Sequence, residues 1–198
     1  MKKFNRALIL SGLTLMASTA LAETGQSYFT VEYSQMDMSF DTDSANPGSL
    51  FFRLGKQVDS NFAVEMYLGL GVTDDEIFSE NYVDFFGSGT FKVDAELAQA
   101  IGVQAKYIGN ISPTSDFFAA VGYGKTEVDF RIEDCIVSGA SSFCDEFTVS
   151  DSDNDLVYQL GLNFDKLTLS YNVYYDDTLD GTDVEISSFN IGYRTSFY

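Results

Sequence analysis

The chain has 198 residues, 11 of them Lys or Arg against 30 Asp or Glu, no histidine, and a formal net charge of -19. So acidic a surface does not neutralise phosphates, which excludes nucleic acid as a partner, and the missing histidine removes the commonest general base and zinc ligand. No window approaches 18 uninterrupted apolar residues, so no transmembrane helix is expected.

The first segment carries Lys2, Lys3 and Arg6, an apolar stretch from Ala7 to Ala17, then Ala20-Leu21-Ala22. A basic head, a short apolar middle and a small-x-small end are the parts of a secretory leader. Cleavage is expected after Ala22, with Ala20 and Ala22 as the small residues at the site. The mature chain from Glu23 then has a net charge of -22 (8 minus 30) and a length that suits one domain.

Eight alternating runs follow, at about Ser27 to Met38, Leu50 to Val58, Phe62 to Val72, Phe91 to Ile108, Phe117 to Ile132, Leu156 to Phe164, Leu167 to Tyr175 and Val184 to Phe197. Pro47 and Pro113 fall between runs, together with the Asp, Asn, Ser and Gly clusters, which is the punctuation of an all-strand chain. Links after the second, fourth and sixth runs are short (59–61, 109–116, 165–166), and the others are longer (41–49, 73–90, 133–155, 176–183). An even strand number with short turns at one end and long loops at the other predicts an all-β, eight-stranded antiparallel up-and-down transmembrane β-barrel.

Within each run one face is apolar and aromatic, and the other is polar or glycine. A soluble barrel of lipocalin type would bury the first face, whereas a membrane barrel turns it to lipid. The polar face is rich in glycine and poor in acids, and Phe29, Tyr107, Phe117, Phe164 and Phe197 gather near the short turns like an interfacial girdle. Both features favour the membrane form. The charges Glu32, Arg53, Glu65, Lys106 and Arg194 then point inward. They pair as a polar plug, because eight strands enclose only enough room for side chains, or they line a path for small solutes.

Cys135 and Cys144, nine positions apart in an exported chain, are expected to form a disulfide; two thiols without histidine are half a zinc site. The bridge would restrain the tip of the longest loop, making "VSGASSF" a contact surface or a protease-resistant one. Acids concentrate in the long links, among them Asp74, Glu80, Glu133, Asp145 and Asp151. They form a solvated surface or share divalent cations with lipopolysaccharide phosphates. "DSDNDLVY" has Leu156 and Leu162 where a calcium loop needs Gly and Glu, so no such loop is expected. No motif sets a nucleophile beside a base, so no enzyme is expected, and no cofactor.

"FFRLGKQVDSNFAVEMYLGLG" and the closing "FNIGYRTSFY" resemble the small outer-membrane barrels of the OmpA transmembrane-domain and OmpX type. The resemblance spans the mature chain from about Gln26. It implies a monomer in the outer membrane of a Gram-negative bacterium, termini periplasmic, four loops outside. It also implies insertion by the barrel-assembly machinery, recognised through Gly192, Thr195 and Phe197; Tyr198 adds a residue past the usual end. The implied role is non-enzymatic, in the envelope structure or in contact with an extracellular ligand, the alternative being a narrow porin.

Overall fold

The computed structural model describes residues 25–40, 43–83, 88–138, 141–179 and 182–197. Ala20, Ala22 and Tyr198 lie outside the described residues. The strands are β1 Ser27–Phe40, β2 Asp43–Ala45, β3 Gly48–Gln57, β4 Phe62–Gly71, β5 Asp75–Val83, β6 Ser88–Ser112, β7 Ser115–Ser138, β8 Ser141–Phe164, β9 Leu167–Leu179 and β10 Thr182–Phe197.

All but β2 and β5 form a ring of antiparallel neighbours in chain order, closed where β10 pairs with β1 from Ser27↔Phe197 to Phe40↔Val184. Closure satisfies each wall strand on both sides, which lipid, offering no hydrogen bonds, requires. β2 folds back on the end of β1, and β5 lies along the outer part of β6.

Directly opposed pairs that start at Ser27 pass through Lys56, Val64, Ala105, Val121, Tyr158, Val173 and Ser187. They return to β1 at Asp37, ten residues (37 minus 27) further on. Ten residues at roughly 3.3 Å each, over eight strands about 4.8 Å apart, is a tilt of about 40°.

The alternation is inside-out. On β4 the carboxylate Glu65 is fully buried while its neighbour Val64 is 53% exposed. Tyr33, Val103, Leu160 and Ile191 are likewise exposed, and Thr30, Gln104, Gln159 and Asn190 buried. Such a wall is stable only with hydrocarbon outside it.

The long links differ from their expected form. β6, β7 and β8 have 25, 24 and 24 residues, more than twice the 9–11 or so that cross a bilayer. Residues 133–138 and 141–155 are the outer half of an unbroken β7–β8 ladder that runs from Ser115↔Phe164 to Ser138↔Ser141, and 73–90 contains β5. From Ser142 to Asn154 β8 is exposed on both faces, so burial imposes no period of two there for the sequence to display.

Candidate functional site

The inward phase of β1, β3, β4 and β6 brings four of the five expected charges together. Arg53 donates through Nε to Glu32 at 2.7 Å and through Nη1 to Glu65 at 3.4 Å, and Lys106 donates to the other Glu65 oxygen at 2.6 Å. Gln104 at 2.6 Å and the Tyr28 hydroxyl at 2.9 Å also donate to Glu65. Two cations thus neutralise two anions, and the hydrogen bonds supply what lost hydration took away. Arg194 stands apart: its guanidinium lies 3.9 Å from the centre of the Tyr28 ring, and among the described residues its buried Nε has no hydrogen-bond partner.

From this quartet hydrogen bonds run right round the lumen. Gln104 donates to Gln159 at 2.8 Å and Gln159 to Ser170 at 3.2 Å. Asn190 donates to Ser170 at 3.1 Å, Ser188 to Asn190 at 2.9 Å and Asn172 to Ser188 at 3.4 Å. Arg53 closes the circuit by donating to Asn172 at 3.4 Å and reaches the Tyr174 hydroxyl at 3.3 Å. The circuit draws side chains from β3, β4, β6, β8, β9 and β10, and Glu32 ties in β1.

Apolar layers cover both ends of this polar layer. Toward the long hairpins Met36, Met38, Phe51, Tyr67, Leu97, Val157, Tyr174, Val184 and Ile186 form one buried cluster. The Phe51 and Tyr174 rings stack at 5.2 Å, and the Arg53 guanidinium lies 5.5 Å from the Phe51 centroid and 5.3 Å from that of Tyr67. Toward the short turns Tyr28, Ala63, Ile108 and Phe118 form a second cluster.

These inward aromatics escape a reading that equates inward with polar. The signal was their phase: Tyr28, Phe51, Tyr67 and Tyr174 each stand two residues from Thr30, Arg53, Glu65 and Asn172. They also account for glycines on that face. A Cβ at Gly55 would lie 2.1 Å from the Tyr28 ring, one at Gly69 2.4 Å from Phe51, and one at Gly161 2.3 Å from Phe118. The glycines make room for the rings.

On the projecting strands Cys135 and Cys144 stand directly opposite and are joined by a disulfide. Beside them Glu133 faces Glu146 and Asp134 faces Asp145. Arg131 relieves part of this repulsion, 3.0 Å from Asp74 and 3.4 Å from Glu146, and Tyr82 donates to Asp134 at 2.6 Å. Glu133 also approaches both sulfurs, but oxidised cysteines offer no thiolate to a metal. In β10 Gly192 faces inward, where a Cβ would lie 2.5 Å from the Glu32 side chain, and Thr195 and Phe197 are exposed on the outer wall.

The family model of the outer membrane protein beta-barrel domain matches residues 7–197. Neisserial surface protein A of Neisseria is similar with a TM-score of 0.53 and 13% identity, over 88% of this chain and 100% of that one. Ail, the attachment invasion locus protein of Yersinia pestis, gives 0.49 and 16% over 87% and 100%. The N-terminal barrel of Pseudomonas aeruginosa OprF gives 0.39 and 11% over 87% and 100%. No curated protein matches the chain. The first of these likenesses shows a shared barrel fold, and with a family match over nearly the whole length, the chain belongs to the outer membrane protein beta-barrel domain family of Gram-negative outer membranes.

Proposed function

We propose that the protein is a closed, non-catalytic, monomeric barrel that carries its long hairpins outside the cell, with both termini in the periplasm. Its role is to strengthen the envelope or to contact external ligands. The observation that carries the closed reading is the hydrogen-bonded circuit from Arg53 through Gln104, Gln159, Ser170 and Asn190 back to Asn172, capped by apolar layers. A porin needs a wet path lined by unspent charge, and here the quartet neutralises itself.

The orientation follows the rule that short turns face the periplasm. A ring with no free edge in the membrane gives no cause to oligomerise there. Lack of histidine leaves no usual base for catalysis. Gly192, Thr195 and Phe197 present the insertion signal to the barrel-assembly machinery on the last strand. The hairpin carboxylates share divalent cations with lipopolysaccharide phosphates, which offsets their mutual repulsion.

The test is conductance of the purified protein in a planar bilayer. No defined current step is the expected result. A reproducible open level overturns the closed reading in favour of a narrow porin.

A further inference from the structure

One face of the projecting β7–β8 ladder carries a group of donor atoms that the barrel does not use. Cys135 stands opposite Cys144, and two positions nearer the membrane Glu133 stands opposite Glu146. Residues two apart on a strand share a face, as do directly opposed ones, so all four side chains lie on the same side of the hairpin. Asp134 and Asp145, the opposed pair between them, have the other parity and lie on the other face.

Glu133 Oε1 lies 3.1 Å from Cys135 Sγ, and a Glu133 carboxylate oxygen and both sulfurs lie within 4.8 Å of one another. A bridged sulfur has no hydrogen to donate, so the contact gives this carboxylate nothing in the oxidised protein. The spacing suits a metal instead, because an oxygen and a sulfur bound to one tetrahedral zinc stand about 3.5 Å apart. Glu146 is held from behind: Arg131 Nε lies 3.4 Å from its Oε1, which leaves the other oxygen for a metal. Cys144 and Glu146 are exposed, so ions and small molecules reach the face from water.

We propose that, once the bridge is reduced, Cys135, Cys144, Glu133 and Glu146 together bind one zinc ion on the hairpin. Two thiolates beside two carboxylates favour borderline-soft zinc over calcium or magnesium, which prefer oxygen alone. The reductant is a pair of small-molecule thiols. They break the S–S bond, each protein sulfur gains a hydrogen, and the two thiols leave joined as their own disulfide. Zinc then displaces both thiol protons to solvent and takes two Zn–S bonds. The arrangement survives reduction because the ladder continues on both sides of the cysteines, with their Cα atoms 4.0 Å apart. The freed sulfurs need part only to about 3.8 Å, the span of two thiolates on one zinc. Only the reduced form takes the ion, so zinc at about a hundred times its Kd pulls the equilibrium about a hundredfold toward thiols, or about 60 mV. The hairpin is thus clasped by a disulfide in oxidising surroundings and by zinc in thiol-rich ones.

The test takes full-length protein folded in detergent micelles, reduces it with a phosphine, removes the phosphine under inert gas and titrates zinc against a chromogenic competitor. The expected result is one zinc per chain, bound at least about a hundredfold more tightly than by the oxidised protein. Cobalt in its place gives the visible spectrum of a tetrahedral thiolate site, and zinc slows amide exchange from Glu133 to Glu146 in the reduced protein. Glu133→Gln and Glu146→Gln each weaken binding about tenfold or more with both thiols intact. Asp134→Asn and Asp145→Asn, on the other face, leave it unchanged. Gel migration of boiled and unboiled samples checks that each variant is folded, and alkylation of the reduced wild type, which needs no variant, abolishes binding. Equal loss in the two Asn variants overturns the carboxylate half of the site. One zinc shared by two chains, or reduced protein that binds no more tightly than oxidised, overturns the proposal.

Discussion

Replacing Arg53 by Met keeps most of the stem volume and removes the one cation that Glu32 contacts at 2.7 Å. Glu32 is 1% exposed, and among the described residues no other cation lies within salt-bridge distance, so the variant leaves a bare carboxylate in the lumen. Removing one partner of a buried pair costs about 3–5 kcal/mol. Lost contact with the Phe51 and Tyr67 rings adds to this. Lys106→Met is the contrast. Glu65 keeps Arg53, Gln104 and Tyr28, so the cost falls to about 1–3 kcal/mol, that of one charged hydrogen bond. In the double variant Glu32→Gln, Arg53→Met no charge is stranded, and its cost should be at least about 2 kcal/mol less than the sum of the singles. The assay is urea unfolding in lipid vesicles, with the folded fraction read from the different gel migration of boiled and unboiled samples. Additive single variants, or Arg53→Met within about 0.5 kcal/mol of wild type, would refute the account of the quartet as a coupled unit.

Gly55→Ala drives a methyl into the Tyr28 ring, 2.1 Å away, and should cost about 1–3 kcal/mol by overpacking in the same unfolding assay. Replacing Cys135 and Cys144 by Ser releases a ring worth roughly 2–3 kcal/mol to the hairpin. Amide exchange should then quicken from Glu133 to Glu146, where like charges face each other, and stay unchanged in the barrel wall.

How much of this was legible depends on what each residue faces. Phe62 to Gly71 alternates cleanly because lipid lies on one side and a packed lumen on the other, so one strand of the ring displays the rule for all eight. The outer half of β8, wet on both faces, has no such contrast, and Asp151 to Asp155 reads as a loop although it is strand. Glu65 and Lys106 were recognisable as inward charges from phase alone. Their junction with Gln104 and Gln159 was not, because it depends on which residues share a level, and that is set by the ten-residue stagger. Tyr28 lies on the same face, yet an aromatic residue gives no sign in sequence that it will sit over Gly55 and hold Arg194.

The pairing of β1 with β10 joins the first described strand to the last, from Ser27↔Phe197 onward. Every other wall contact is between strands adjacent in the ring and close in sequence; this one closes a loop that spans the domain, and its entropy must be met before any of its bonds form. A nascent chain that lacks β10 is a sheet with two raw borders, which hydrocarbon will not accept. Folding must therefore await the last strand, and the polypeptide must travel from synthesis to membrane without its native shape, dependent on whatever keeps sticky segments apart on the way. The seam that makes the finished wall continuous also makes it the slowest part to begin.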